Sequence, residues 1–171
     1  MVPDIRKILY ATDISQNSSS LLFSYAVDMA LKHNASIVIV HAVEPAHQVS
    51  YAGSSVAAMM KTVQREEKEA SLDELKARIE AFCKRMESQM GTSCAALVSK
   101  ILMPQGNPVE EILKAAETER CDAIVMGSHR KGFLTKAFLG SVARSVLERS
   151  RIPVFIVPLP SAETFGKQDT I

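Results

Sequence analysis

Asp122-Ala123-Ile124-Val125-Met126-Gly127-Ser128-His129-Arg130-Lys131-Gly132, followed after a short apolar and basic run by Gly140-Ser141-Val142-Ala143-Arg144-Ser145-Val146-Leu147, is the stretch that decides the fold class. The apolar run ending at Met126 reads as a buried strand, and Val142 to Leu147 carries helical spacing. A strand that ends in Gly and Ser and feeds a helix opening at Gly-Ser presents backbone N–H groups to an anion. Those donors have no partner within the helix, and the helix dipole adds positive potential there. The implied ligand is a phosphate. Two better-known phosphate loops are excluded, because Phe133 stands where a Walker loop needs Lys, and no Gly-x-Gly-x-x-Gly follows any strand.

Working outward, Lys7-Ile8-Leu9-Tyr10-Ala11 reads as a first strand, and Leu21, Leu22, Tyr25, Ala26, Met29 and Ala30 then repeat at helical spacing. Ser36 to Val43 is β-branched and apolar on both faces, which suits a strand covered by helices on either side. Residues 44–60 are mixed and read as an irregular excursion. Leu72, Leu75, Ile79, Phe82, Met86 and Met90 form one apolar stripe of a charged helix. Cys94 to Leu102 reads as a third strand. Gly106-Asn107-Pro108-Val109-Glu110 announces a helix, with Asn107 as N-cap, Pro108 at the first position, Glu110 in capping-box position and Ile112, Leu113 and Ala116 on the buried face. Ala123 to Met126 is the fourth strand, and Pro153 to Pro158 a short last one. Five strands joined by helices predict an α/β fold, a single-domain doubly wound five-stranded parallel sheet with helices on both faces. The domain spans residues 1–160, and 161–171 form a polar tail.

Size and charge narrow the function. A chain of 171 residues with 47% hydrophobic content holds one domain with a substantial core. Its 20 Lys plus Arg against 19 Asp plus Glu leave no basic excess for a nucleic-acid footprint. No apolar run is long enough to cross a bilayer and the N-terminus lacks the features of a signal peptide, so no membrane partner and a cytoplasmic location are expected. Cys83, Cys94 and Cys121 are odd in number and widely spaced, and are expected to be reduced packing residues.

Lys7 to Asp13, Val40-His41-Ala42-Val43, Gly106-Asn107-Pro108 and the loop from Gly127 to Val142 stand in the order of the landmarks of the universal stress protein family, which this chain resembles over nearly its whole length. The loop of that family is written Gly-x2-Gly-x9-Gly-(Ser/Thr); here Gly127 and Gly140-Ser141 match and Arg130 replaces the second Gly. The resemblance implies a Rossmann-like sheet in the order 3-2-1-4-5 and, as in many members, bound ATP with Mg²⁺ bridged by its phosphates. It implies that the Asp13 carboxylate accepts hydrogen bonds from ribose hydroxyls and that Thr12 and Ala42 meet adenine through backbone groups. Met126, Gly127, Gly140, Ser141 and Val142 then surround the nucleotide. Arg130 either contacts phosphate through its guanidinium, with Gly132 taking the flexible role, or obstructs the loop. A homodimer through Val154, Phe155, Ile156 and Val157 of the last strand is implied as well.

Plainer readings stand beside these. Asp13 alone reads as the N-cap of the first helix, and Gly127, Gly140 and Ser141 as ordinary turn and helix-start residues. His41 and His129 lack partners at metal-ligand spacing and read as strand-end or loop residues. Lys131, Lys136, Arg144 and Arg149 read as a solvated basic face. Three functions follow: an ATP-binding, stress-response regulator working with an unknown protein partner; a nucleotide-free interaction module of the same fold; and a slow ATPase. The last is weakest, since no paired carboxylates, nucleophile with adjacent base, or side-chain metal cluster is visible, and no dedicated catalysis is expected.

Overall fold

The computed structural model describes residues 4–12, 19–44, 66, 69–70, 72–81, 83–84, 87–88, 93–129 and 139–159, with the backbone alone at 19, 20 and 129. Of the expected excursion at 44–60 all but Glu44, together with the stripe residues Phe82, Met86 and Met90 and the polar tail, lie outside the described residues.

Strand β1 (Lys7–Ala11) is central, flanked by β2 (Ser36–Val40) and β4 (Ala123–His129), with β3 (Val98–Leu102) and β5 (Val154–Leu159) outermost. The order is β3-β2-β1-β4-β5, and every pairing is parallel. Parallel neighbours need crossovers, and here helices supply them: α1 (Ser19–His33), α2 (described helical residues include 72–81), α3 (Pro108–Thr118) and α4 (Ser141–Arg149).

The two faces of the sheet are covered separately. Ile8, Tyr10, Ile37, Ile39 and Val125 pack with Leu22, Phe23, Ala26, Val27 and Ala30 of α1 and with Leu75 and Ile79 of α2. Leu9, Val38, Val40, Ile124 and Met126 pack with Ile112, Ala115 and Ala116 of α3 and with Ala143 and Val146 of α4. Adjacent strand residues therefore point to opposite faces and are buried on both, which explains the unbroken apolar runs. Each such large side chain contributes about 1.5–3 kcal/mol of burial.

Several boundaries differ from expectation. On α1, Leu21 and Tyr25 are 38% and 51% exposed, while Phe23 and Val27 are buried. The helix is turned so that the Phe23 ring meets Tyr10, centroids 5.2 Å apart. The third strand begins at Val98, because Cys94–Leu97 forms a 3-10 turn. That turn is drawn towards α2 by a Cys83–Cys94 disulfide, Cα atoms 5.3 Å apart, so these two cysteines are not the reduced residues expected. Their proximity comes from tertiary packing, which neither count nor spacing reveals. Cys121 is free and buried, as read, and burial raises its thiol to about 11. β2 ends at Val40, β4 runs on to His129 in register with β5, and β5 reaches Leu159. On α3, Ala115 joins Ile112 and Ala116 in the core, and Leu113 is only partly buried.

At α3 the cap is as expected. The Asn107 side chain accepts from the N–H groups of Val109 and Glu110, and Pro108 opens the helix. Glu110 does not close a capping box, since its carboxylate instead meets Arg149 Nη1 at 2.7 Å, linking α3 to α4. At the opposite edge of the sheet, Asp122 Oδ2 accepts the N–H groups of Arg6 at 2.8 Å and Lys7 at 2.9 Å.

Helices α1 and α3 end alike. Asn34 and Arg120 take φ of 52° and 53°, and the residue after each donates its N–H six-to-one into the last turn, Ala35 to Ala30 O at 2.8 Å and Cys121 to Ala116 O at 2.9 Å. Asn tolerates this left-handed conformation, whereas Arg is strained there. Arg120 is exposed, so Arg120→Gly is expected to stabilise the fold by about 1 kcal/mol. A urea unfolding midpoint that rises with unchanged slope is the expected result.

Candidate functional site

The winding reverses between β1 and β4: β1 connects leftward to β2 through α1, and β4 rightward to β5 through α4. Ligands of doubly wound sheets bind beyond the carboxyl ends of strands at this point. Register places Ala11 between Val40 of β2 and Met126 of β4. Thr12 and His41-Ala42 therefore leave the sheet together, beside Gly127 of β4, which stays paired with β5. Leu139 and Val142, at the approach to α4, pack against the apolar layer that includes Ala11, Val40 and Met126, which brings the start of α4 to the same edge.

Backbone groups at this edge divide into taken and open. Thr12 N–H donates to Val40 O at 3.0 Å, and Thr12 O lies 2.9 Å from Nδ1 of His41. The Thr12 hydroxyl oxygen accepts from Tyr10 Oη at 3.3 Å; burial pushes the Tyr10 phenol up to about 12, so it remains a neutral donor. His41 and Val43 donate their N–H groups outward, to Leu102 O and Pro104 O, both at 2.9 Å. Alternation turns Ala42 the other way, towards β1, and among the described residues its N–H and C=O have no hydrogen-bond partner. Thr12 thus offers a ligand only its second carbonyl lone pair, its hydroxyl hydrogen and its methyl group. Ala42 offers a complete donor and acceptor pair.

At α4 the first helical bond is Arg144 N–H to Gly140 O, 2.9 Å, and Gly140 supplies no side-chain cap. The N–H groups of Ser141, Val142 and Ala143 therefore have no partner within the helix, and they carry its positive dipole end. Gly140 has φ −55° and ψ 152°, which any residue adopts. Its lack of a side chain is therefore not demanded by the backbone.

Gly127 is different. It lies within β4 opposite Val157, and a Cβ there would stand 2.5 Å from Leu159 Cδ1 and 3.4 Å from Leu22 Cδ2. Its small size is required by packing between β5 and α1. Met126 is 5% exposed, facing the α3 and α4 layer. Asp13, Arg130, Lys131 and Gly132 lie outside the described residues. Among the described residues no group of three or more His, Cys, Asp or Glu is placed to hold a metal. No described helix is long and apolar enough to cross a membrane. The contact that sequence reasoning missed is His41 to Thr12, 29 residues apart, for which the sequence carries no signal beyond position at a strand end.

A family model described as "Universal stress protein family" matches residues 4–158. Universal stress protein MJ0577 of Methanocaldococcus jannaschii is 31% identical over 159 residues, covering 89% of this chain and 94% of its own. A universal stress protein of Thermus aquaticus is 31% identical over 153 residues, covering 89% and 98%. Among solved structures, MJ0577 superposes with a TM-score of 0.62 at 25% identity, covering 93% of this chain and 99% of that one. UspA from Lactobacillus plantarum gives 0.64 at 19%, covering 90% and 97%. A universal stress protein solved in complex with cAMP gives 0.53 at 21%, covering 92% and 99%.

The two site glycines are expected to respond unequally to the same added methyl. Gly127→Ala overpacks Leu159 and Leu22 and costs about 1–3 kcal/mol of stability, whereas Gly140→Ala costs about 0.5 kcal/mol through a weaker helix cap. Equilibrium urea unfolding of both variants checks this, and equal losses would contradict the division.

Proposed function

The chain belongs to the universal stress protein family, and from that premise we propose that it binds ATP at the carboxyl edge of its sheet and acts as a homodimeric regulator that signals nucleotide occupancy to a protein partner. The observation that carries this reading is the set of backbone groups at the winding reversal that have no partner among the described residues: the donor and acceptor of Ala42, and the first N–H groups of α4. The first pair suits the N1 and N6 edge of adenine, and the second suits phosphate. The complex of a similar universal stress protein with cAMP, itself an adenine and a phosphate, supports it.

In this reading Asp13 accepts from the ribose hydroxyls, and Gly127, Gly140, Ser141 and Val142 line the ribose and phosphates. Mg²⁺ bound together with ATP would neutralise charge at the phosphate end. Arg130, Lys131 and Gly132 serve the phosphate end. The same Arg130, standing where the family's loop has Gly, favours a second reading, a nucleotide-free interaction module of identical fold.

Titration with ATP and GTP tests the two. Tighter ATP is expected, because guanine reverses the donor and acceptor that Ala42 would meet; Asp13→Ala is expected to weaken ATP by about 1.5–3 kcal/mol. No binding at millimolar ATP with Mg²⁺ favours the nucleotide-free module.

The dimer reading rests on β5. It is an outer strand with no pairing on its far side among the described residues, Phe155 is 45% exposed on one face, and Leu147 of the adjoining α4 is 48% exposed. An unpaired apolar edge of this kind is a template for another strand, and a second copy pairing antiparallel across a two-fold axis covers it. Light scattering is expected to give a dimer for the wild type and a monomer for Phe155→Asp; a monomeric wild type removes the assignment.

A further inference from the structure

We propose that His41 is a positioning residue of the nucleotide site, a role that rests on the nucleotide reading above and deepens it: its imidazole fixes the Thr12 carbonyl at the carboxyl end of β1, beside Ala42. A carbonyl only accepts, so the 2.9 Å contact between Nδ1 and Thr12 O requires the hydrogen to be on Nδ1. This tautomer leaves Nε2 bare in the neutral ring, and the contact survives protonation because the imidazolium keeps its Nδ1 hydrogen.

The geometry makes the bond a cross-brace. His41 N–H is held by Leu102 O of β3 at 2.9 Å, its ring reaches back to Thr12 O, and Thr12 N–H is held by Val40 O of β2 at 3.0 Å. Three strand ends are thereby joined through one residue. On the same face Tyr10 Oη meets the Thr12 hydroxyl, and the Tyr10 ring lies against Phe23 of α1. Both backbone groups of Thr12 and its hydroxyl oxygen are therefore committed.

What this holds is a peptide plane. The Thr12 carbonyl belongs to a planar peptide unit, so holding its oxygen holds that carbonyl's direction. Thr12 is beyond the last ladder residue of β1, and without the imidazole its carbonyl has no partner among the described residues. A binding group held only by a free strand end costs ordering at each binding event. His41 removes that cost before the ligand arrives, touching neither base nor phosphate in this role.

The test uses three substitutions in the full chain. Asn carries its amide nitrogen on Cγ, as His carries Nδ1, and so can donate to Thr12 O; Gln carries it one carbon further, as His carries Nε2, and cannot stand in the same place. ATP titration is expected to give roughly tenfold weaker binding for His41→Ala and His41→Gln, the loss of about one hydrogen bond. His41→Asn is expected to stay within about threefold of wild type on the same scale. Thermal midpoints are measured alongside. Equal affinities for all four proteins, or affinity losses that simply follow the midpoints, overturn the proposal.

A second readout does not use nucleotide. The ring ¹⁵N spectrum of the neutral His41 imidazole in the ligand-free wild type is expected to show a protonated Nδ1 and a bare Nε2, and the reverse tautomer overturns the proposal. A wild type that binds no ATP overturns the nucleotide reading and the positioning role with it, while the ring spectrum still reports whether the Thr12 contact exists.

Discussion

Parallel pairing of β1 on both its edges is the constraint on which the rest of this molecule depends. A strand so placed has no free edge, and Ile8 and Leu9 are wholly buried from its two faces. Parallel strands cannot be joined by tight turns, so each connection must cross over the sheet and bring a helix with it. Two crossovers lie on one face and two on the other, because the chain builds outward from β1 first in one direction and then in the opposite one. The carboxyl edge at β1 and β4 is where these crossovers depart to opposite faces, the position at which doubly wound sheets take their ligands.

The same edge separates residues that hold the protein together from residues left open. Gly127 sits inside a packed layer, its missing side chain occupied by Leu159 and Leu22. Gly140 has an ordinary backbone conformation and stands before uncapped N–H groups. Two glycines of one loop motif therefore obey different physics. Thr12 and Ala42 make a second such pair, one with its backbone spent on neighbouring strands and the other with its backbone unspent.

Features set by local sequence were legible. The strands announced themselves as β-branched runs, the Asn107-Pro108 helix start is where its capping chemistry requires, and the five-strand order agrees with the family resemblance. Errors arose where distant residues decide. The face that α1 buries is turned by a ring contact between Phe23 and Tyr10, which spacing within the helix cannot register. Cys94 leads a 3-10 turn and not a strand, being bonded to Cys83 of α2. In the site, the residue types of the loop were readable, but the His41 brace to Thr12 was not, since a single His at a strand end has no pattern to read.

Asp122 carries an implication for how the chain comes into being. Its carboxylate fastens the N–H groups of Arg6 and Lys7, and its own N–H returns to Lys7 O, across a sequence separation of 115 residues for the Lys7 bond. During synthesis β1, β2 and β3 emerge with α1 and α2, enough to close one face, while the other side of β1 waits for β4. For that interval the central strand of the protein is an open edge with an uncovered face, the kind of surface that chaperones shield and that aggregates in their absence. The arrival of Asp122 ends the exposure: it seats β4 beside a strand made more than a hundred residues earlier, so closing the second edge of β1 is a late, long-range event and a slow one.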